Sequence, residues 1–227
     1  MGPHRPKGAQ GAADERSAHE RVVAVVRKAG FRPVLLPRAG AHCCGMLFDT
    51  RGFPSAGEGA REALGRALRA ASEGGALPVV VDTSPCLETL RRAFPELRQA
   101  LLDPAEATEQ LLAPHLVFEK TKGAVSLHVP CSAKRMGLEP AMRRVAERCA
   151  AEVRDSGVPC CGTGGDRGFR FPELSRAALQ HLDVEGCQAA YSSSRTCQIS
   201  LAQAAGMPFD ALMTLVDEST QAKRPEL

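Results

Sequence analysis

Residues 159–169 read PCCGTGGDRGF, and residues 42–53 read HCCGMLFDTRGF. Twice, two adjacent cysteines and a glycine stand just ahead of an aspartate and an Arg-Gly-Phe run, which divides the chain into two rounds. Outward from the second copy, the apolar "AVSLHVPC" (124–131) reads as a strand and "EPAMRRVAERCAAEV" (139–153) as a helix. Beyond the cysteine pair come a helix "PELSRAALQHL" (172–182), a strand "CQAAYSS" (187–193) and a helix "RTCQISLAQAAG" (195–206). The first round repeats the order. Val22, Val23, Val26 and Ala29 fall at helical spacing, "RPVLLP" (32–37) reads as a short buried strand, and a helix "AREALGRALRAAS" (60–72) follows the cysteines. A strand "LPVVVDT" (77–83) and a helix "SPCLETLRRAF" (84–94) close it, and residues 100–120 read as a polar, helical connection. This alternation predicts an α/β fold of two pseudo-repeated lobes, 1–119 and 120–227, each a small, mostly parallel sheet flanked by helices. In such folds functional residues lie in loops at the carboxyl ends of the strands.

The composition narrows what the loops can do. The chain has 227 residues, long enough to bury a core without cross-links. With 29 Lys and Arg scattered among 26 Asp and Glu, the net charge is +3, so no footprint for nucleic acid stands out. No apolar run approaches the roughly 20 residues of a membrane span. The start, "MGPHRPKGAQGAADERSAHE", lacks the apolar segment of a secretory signal, and its stretch up to about Ala18 reads as a loop. The chain reads as cytoplasmic, where thiols stay reduced, so its nine cysteines point to metal binding or redox chemistry rather than to bridges.

Within the second round Cys131 is followed by 28 residues, the Cys160-Cys161-Gly162 triplet, 34 residues and Cys197. Within the first, Cys43-Cys44-Gly45 is followed by 40 residues and Cys86, and nothing precedes it, so the first set lacks one member. Adjacent side chains in extended backbone point to opposite sides. A Cys-Cys pair therefore needs a turn, which Gly45 and Gly162 permit, and its diverging thiolates suit a site with several metal atoms. Thiolates are soft ligands favoured by iron–sulfur clusters, Cu(I) and zinc.

Other positions read more plainly. Cys149, seven after Met142 on an apolar helical face, and Cys187, alternating with Ala189 and Tyr191, read as core residues. His42 and His128 read as hydrogen-bonded neighbours of the cysteines rather than ligands. The glycines of "GTGGDRG" (162–168) are mis-spaced for a dinucleotide fingerprint. Asp49 and Asp166, with Arg51 and Arg167, could tune a bound metal group or brace the loops as ion pairs.

The segments "CCGMLFDTRGF…SPC" and "VPCSAKRMG…VPCCGTGGDRGF…YSSSRTCQISL" resemble the CCG or cysteine-rich domain that occurs in tandem in heterodisulfide reductase and in iron–sulfur subunits of glycolate and lactate oxidation. The wording around the second motif is nearest the C-terminal part of FAD- and iron–sulfur-containing D-lactate or D-2-hydroxyglutarate dehydrogenases. The resemblance implies [4Fe–4S]-type clusters, some non-cubane, with zinc as an alternative, held by Cys131, Cys160, Cys161 and Cys197 and, in the first set, by Cys43, Cys44 and Cys86. It also implies an electron-transfer module that serves an FAD-binding dehydrogenase subunit or domain and passes electrons to a downstream acceptor. No catalytic residue is assigned within the chain itself. Two other readings stay open, a heterodisulfide reductase-like thiol–disulfide redox subunit and a zinc-stabilised binding module. The heterodisulfide reductase pattern closes on Cys-x-x-Cys, whereas Ser194 and Ser200 flank Cys197 here. The dehydrogenases also carry a flavin domain and a Cys-x-x-Cys-x-x-Cys run that this chain lacks, so oxidation of a hydroxy acid by the chain alone is not expected. Superposing Met1-Gly2 on Met136-Gly137 places the missing first-set cysteine five residues upstream of Met1 and leads to the expectation of a late start.

Overall fold

The computed structural model describes residues 16–223, so the expected loop at the start, and the late-start expectation with it, lie almost wholly outside the described residues. The larger sheet belongs to the second round. Strand β4 (Lys122–His128) runs parallel to β5 (Ala150–Asp155) on one side and to β6 (Ala189–Ser192) on the other, and β6 pairs in parallel with β7 (Phe209–Ala211). Val125, Leu127 and the half of β4 nearest the cysteines are buried, as a strand paired along both edges and covered by helices must be. The order β5-β4-β6-β7 puts Cys131 and Cys197 just past the carboxyl ends of the two central strands.

The first round builds a smaller sheet of the same sense. Strands β1 (Val79–Val80) and β2 (Leu101–Leu102) pair in parallel through Val79–Leu101 and Val80–Leu102. A third, antiparallel pair, β3 (Leu116–Phe118) with β8 (Thr220–Ala222), ties the middle of the chain to its end. The α/β class and the parallel sheets with flanking helices therefore stand.

The helices follow their local signals. Ser17 and Glu20 form a reciprocal cap at the start of α1 (Ala18–Lys28), and prolines stand in the first turns of α3 (Pro54–Ala71), α4 (Ser84–Ala93) and α7 (Glu139–Cys149), where a missing N–H costs nothing. The short α2 (Met46–Thr50) and α8 (Arg167–Arg170) each follow a cysteine pair. The remaining helices are α5 (Pro104–Ala107), α6 (Cys131–Arg135), α9 (Pro172–Ala178), α10 (Arg195–Ala205) and α11 (Leu212–Glu218).

Four local expectations are corrected. The helix expected over 139–153 stops at Cys149, and "AAEVRD" is strand β5, because an edge-strand register beside β4 outweighs the helical spacing. The stretch "RPVLLP" forms no strand: Val34 and Leu35 are 73% and 65% exposed. Residues 100–120 hold strands β2 and β3 as well as helical turns. Cys187 precedes β6 in a turn and is half-buried.

One buried cluster joins both rounds, from Val25, Leu64 and Leu87 to Val125, Met142 and Leu215. A second, smaller cluster holds Val158, Cys161, Cys197, Leu201 and Phe209 under the second cysteine pair. Helix α1 is further fastened to α11 by charge: Arg21 and Asp217 are each only 3% exposed and meet at 2.9 Å, and Arg16 and Lys28 also reach the Asp217 carboxylate.

Candidate metal centre

In each cysteine pair the glycine adopts a left-handed conformation, φ +83° at Gly45 and +73° at Gly162. That turn aims the glycine N–H back at the first thiol of the pair, at 3.4 Å from Cys43 Sγ and 3.3 Å from Cys160 Sγ. It also presses the loop against the helix that follows. A Cβ on Gly45 would stand 2.2 Å from the carbonyl oxygen of Gly57, and one on Gly162 would stand 2.6 Å from that of Leu174, in both cases twelve residues on. Glycine is required at both positions for conformation and for space.

The two cysteines of each pair then serve different partners. Cys44 Sγ lies 3.0 Å from Cys86 Sγ, and Cys161 Sγ lies 2.9 Å from Cys197 Sγ. Both pairs join a loop to the first turn of a helix that starts after a parallel strand, α4 after β1 and α10 after β6. The contact with Cys86 holds the Cys44 thiol down to about 6, and the same contact, together with burial, pushes Cys86 up. The second pair behaves alike, with Cys161 held down to about 6 by Cys197 and Cys197 pushed up. In each pair the two sulfur atoms touch, and their contact biases one toward the charged form and the other away from it.

Cys131 completes the second set. It stands exposed at the first turn of α6, close enough for its charge to raise the thiols of Cys160 and Cys197. Burial is the main cause that raises the Cys160 thiol. The second set thus comes from three separate segments, Cys131, the Cys160-Cys161 pair and Cys197, and the first from two, the Cys43-Cys44 pair and Cys86, with one direct sulfur–sulfur contact in each. Among the described residues no three His, Cys, Asp or Glu side chains converge as ligands of a single ion.

The bystanders are equally clear. Cys149 is fully buried in the main core and its thiol is pushed up to about 11 by burial, as expected of a packing residue. His128 is 1% exposed, its Nδ1 lies 3.1 Å from Ser156 Oγ, and burial lowers it to about 4, which keeps the ring neutral at pH 7. His42 is half-buried beside Cys43. Of the two alternatives for the charged residues, ion pairing is observed. Asp49 pairs with Arg61 at 2.9 Å, and Asp166 pairs with Arg51, across the two rounds.

Several residues near the thiols escaped the sequence reading. Arg61 also donates to the carbonyl of Cys44 at 3.2 Å. Arg135 forks onto Glu88 at 2.7 and 2.5 Å and reaches the Cys131 thiol; its spacing of four from Cys131 on a helix was the available signal. Ser84 and Ser132, both buried, meet at 2.8 Å and lock the helix of Cys86 to that of Cys131; nothing in the sequence marks a contact 48 residues apart. Between the two motifs lies a cleft of about 370 Å³, lined by Thr50, Arg51 and Phe53 on one side and Asp166, Arg167, Arg170 and Phe171 on the other.

A donor set of sulfur alone, partly buried and held by N–H groups, fits a thiolate-bound metal group. The CCG family, described as a cysteine-rich domain, matches the chain twice, over residues 9–91 and 125–202, spans that contain all seven of these cysteines. No curated protein matches the chain. Two matched copies over most of its length make this chain a member of the CCG cysteine-rich domain family.

Proposed function

We propose that the chain is an iron–sulfur electron-transfer module with two thiolate sites, one in each lobe (1–119 and 120–227). The observation that carries the reading is the Cys161–Cys197 contact at 2.9 Å, repeated in the first set by Cys44–Cys86 at 3.0 Å, just past the carboxyl ends of parallel strands. Thiolates drawn from several separate segments suit a group containing several metal atoms. Cys131, Cys160, Cys161 and Cys197 would hold a [4Fe–4S]-type cluster in the second lobe, and Cys43, Cys44 and Cys86 a second site in the first. A bound cluster supplies one-electron transfer, at a potential set by its surroundings.

The chain's own residues tune and shelter that site. Gly45 and Gly162 present N–H donors to the outer thiols, which favours reduced, more negative sulfur. Arg135 sets a positive charge beside Cys131, the most exposed thiol of the set, and Arg61 holds the Cys44 carbonyl. Exposure of Cys131 gives electrons a short route to the surface. With no flavin fingerprint in the sequence, the electron donor is read as the FAD of a 2-hydroxyacid dehydrogenase partner of the D-lactate or D-2-hydroxyglutarate type, with a downstream acceptor beyond.

Anaerobic purification followed by iron, acid-labile sulfide and zinc analysis tests this. The expected result is brown protein with iron and sulfide in similar amounts, reduced when mixed with an FAD-binding partner and its substrate. Colourless protein carrying zinc alone would overturn it.

A further inference from the structure

The Arg-Gly-Phe runs that follow the two cysteine pairs, 51–53 and 167–169, take no part in holding a metal group, yet the loops that carry them are set side by side. Arg51 crosses to the Asp166 carboxylate, and a Cβ on Gly165 would stand 3.4 Å from Leu47 Cδ2 and 3.9 Å from Thr50 Oγ1. Between the loops opens the cleft of about 370 Å³, with Phe53 on one side and Arg167, Arg170 and Phe171 on the other. Among the described residues eleven large apolar side chains are exposed, and six of them fall in the short stretches 47–53 and 169–174. Phe53 is 60% exposed and Phe171 45%. Apolar residues gathered in this way, rather than scattered singly, mark a surface that another molecule covers.

The charges around the cleft have one sign in excess. Three guanidinium groups and one carboxylate line it; Asp166 is taken by Arg51, and neither Arg167 nor Arg170 is directly ion-paired among the described residues. Arg170 lies over the Phe171 ring, 5.5 Å from its centroid, which holds the guanidinium fork in place. No lysine occurs in 42–54 or 159–178. Exposed phenylalanine and arginine without lysine is the make-up of protein–protein interfaces rather than of an ordinary solvated surface.

We propose that this face docks the acidic surface of a second protein, which offers an apolar side chain to the cleft between Phe53 and Phe171 and carboxylates to Arg167 and Arg170. Charge complementarity selects the occupant: an acidic surface meets two unmatched guanidinium groups, whereas a basic one, or the same face of a second copy, would set cation against cation. The cleft lies between the two cysteine loops, so a protein seated there stands beside both thiolate sites. That the docked protein exchanges electrons with the chain rests on the electron-transfer reading above; the docking rests on the surface alone.

The test uses the full chain, purified anaerobically, with three fluorescently labelled hexapeptides: Asp-Glu-Phe-Glu-Leu-Asp, a counterpart with lysine at every acidic position, and one with serine in place of its Phe and Leu. At low ionic strength the acidic apolar peptide is expected to bind at least about tenfold tighter than either of the others and to slow amide exchange at 47–53 and 166–174. Arg167→Gln combined with Arg170→Gln is expected to weaken it at least about fivefold, and Phe53→Ser by about as much. Arg92→Gln combined with Arg98→Gln, an equal loss of charge at two exposed arginines elsewhere, is expected to change it less than about twofold. Equal binding of the lysine or serine peptide, equal weakening by the control pair, or protection centred on the other exposed apolar run, 31–35, would overturn the proposal. Iron and sulfide are measured on the same preparation: colourless protein that binds the peptide keeps the docking face and loses the electron-transfer reading, and brown protein that ignores the peptide does the reverse.

Discussion

The two lobes hold nearly the same cysteine geometry on very different supports. The inner thiols meet at 3.0 Å in the first and 2.9 Å in the second, and both glycines turn with positive φ. Around the second pair stands a four-stranded sheet with its central strands buried; around the first, two strands of two residues each. The loop geometry is thus set locally, by Cys-Cys-Gly and the helix it packs against. The sheet decides something else: how many thiols arrive, and how well the site is closed.

The sharpest way to break this comparison is to remove equivalent thiols. Cys161→Ser is expected to weaken metal binding in the second lobe by at least about tenfold, since a harder oxygen replaces a soft ligand. Cys44→Ser, in a set of three, is expected to remove a much smaller share of the total iron. Equal losses in iron analysis would mean that the smaller sheet does not matter to the first site.

Next in size is the charge cluster that fastens the lobes to each other. Asp217→Asn removes the carboxylate nearest the buried Arg21, which keeps Glu218 at 3.7 Å, and is expected to cost about 1–3 kcal/mol in urea unfolding. Limited proteolysis should then cut near α1 before the second sheet opens. An unchanged unfolding midpoint would show that α1 is held by apolar contacts alone.

Gly45→Ala and Gly162→Ala each force a Cβ into left-handed backbone and onto a carbonyl, at 2.2 and 2.6 Å. Each is expected to lose about 2 kcal/mol or more, with Gly45→Ala the costlier, read as a fall in Tm. The reverse order would place the tighter loop in the second lobe.

A smaller, pH-dependent difference separates the helix starts after β2 and β7. Asp103 caps α5, where α11 has Ala211. Burial raises the Asp103 carboxyl to about 7, against the backbone bond from Ala105, which favours its charged form. The folded protein keeps that proton up to about pH 7, while the unfolded chain releases it near pH 4. Between those values the folded state binds more protons, so stability falls as pH rises, with a slope from this group approaching about 1.4 kcal/mol per pH unit. Asp103→Asn is expected to flatten that stretch of the stability–pH curve; an unaltered slope would mean Asp103 is charged when folded.

Much of this was legible in the residue order. Helices α1, α4 and α10 lie where the residue order put them, while α3 starts at Pro54, six residues before the expected Ala60. Strands β4 and β6 were plain as apolar runs before a cysteine, and Gly45 and Gly162 as turns. The misreadings share a cause. "AAEVRD" has helical spacing but becomes a strand because β4 offers it an edge, and "RPVLLP" has a strand's composition but finds no neighbour to pair with.

The sequence by itself determined the repeat, the α/β alternation and the seven candidate cysteines, because these depend on neighbours a few residues apart. Only the tertiary structure decided which thiol faces which, that Arg51 reaches Asp166 across the two rounds, and that Ser84 and Arg135 lock the helices of Cys86 and Cys131 together. Contacts between segments tens of residues apart depend on how whole elements stack, and sulfur, hydroxyl and guanidinium groups leave no periodic trace of the partner they will meet.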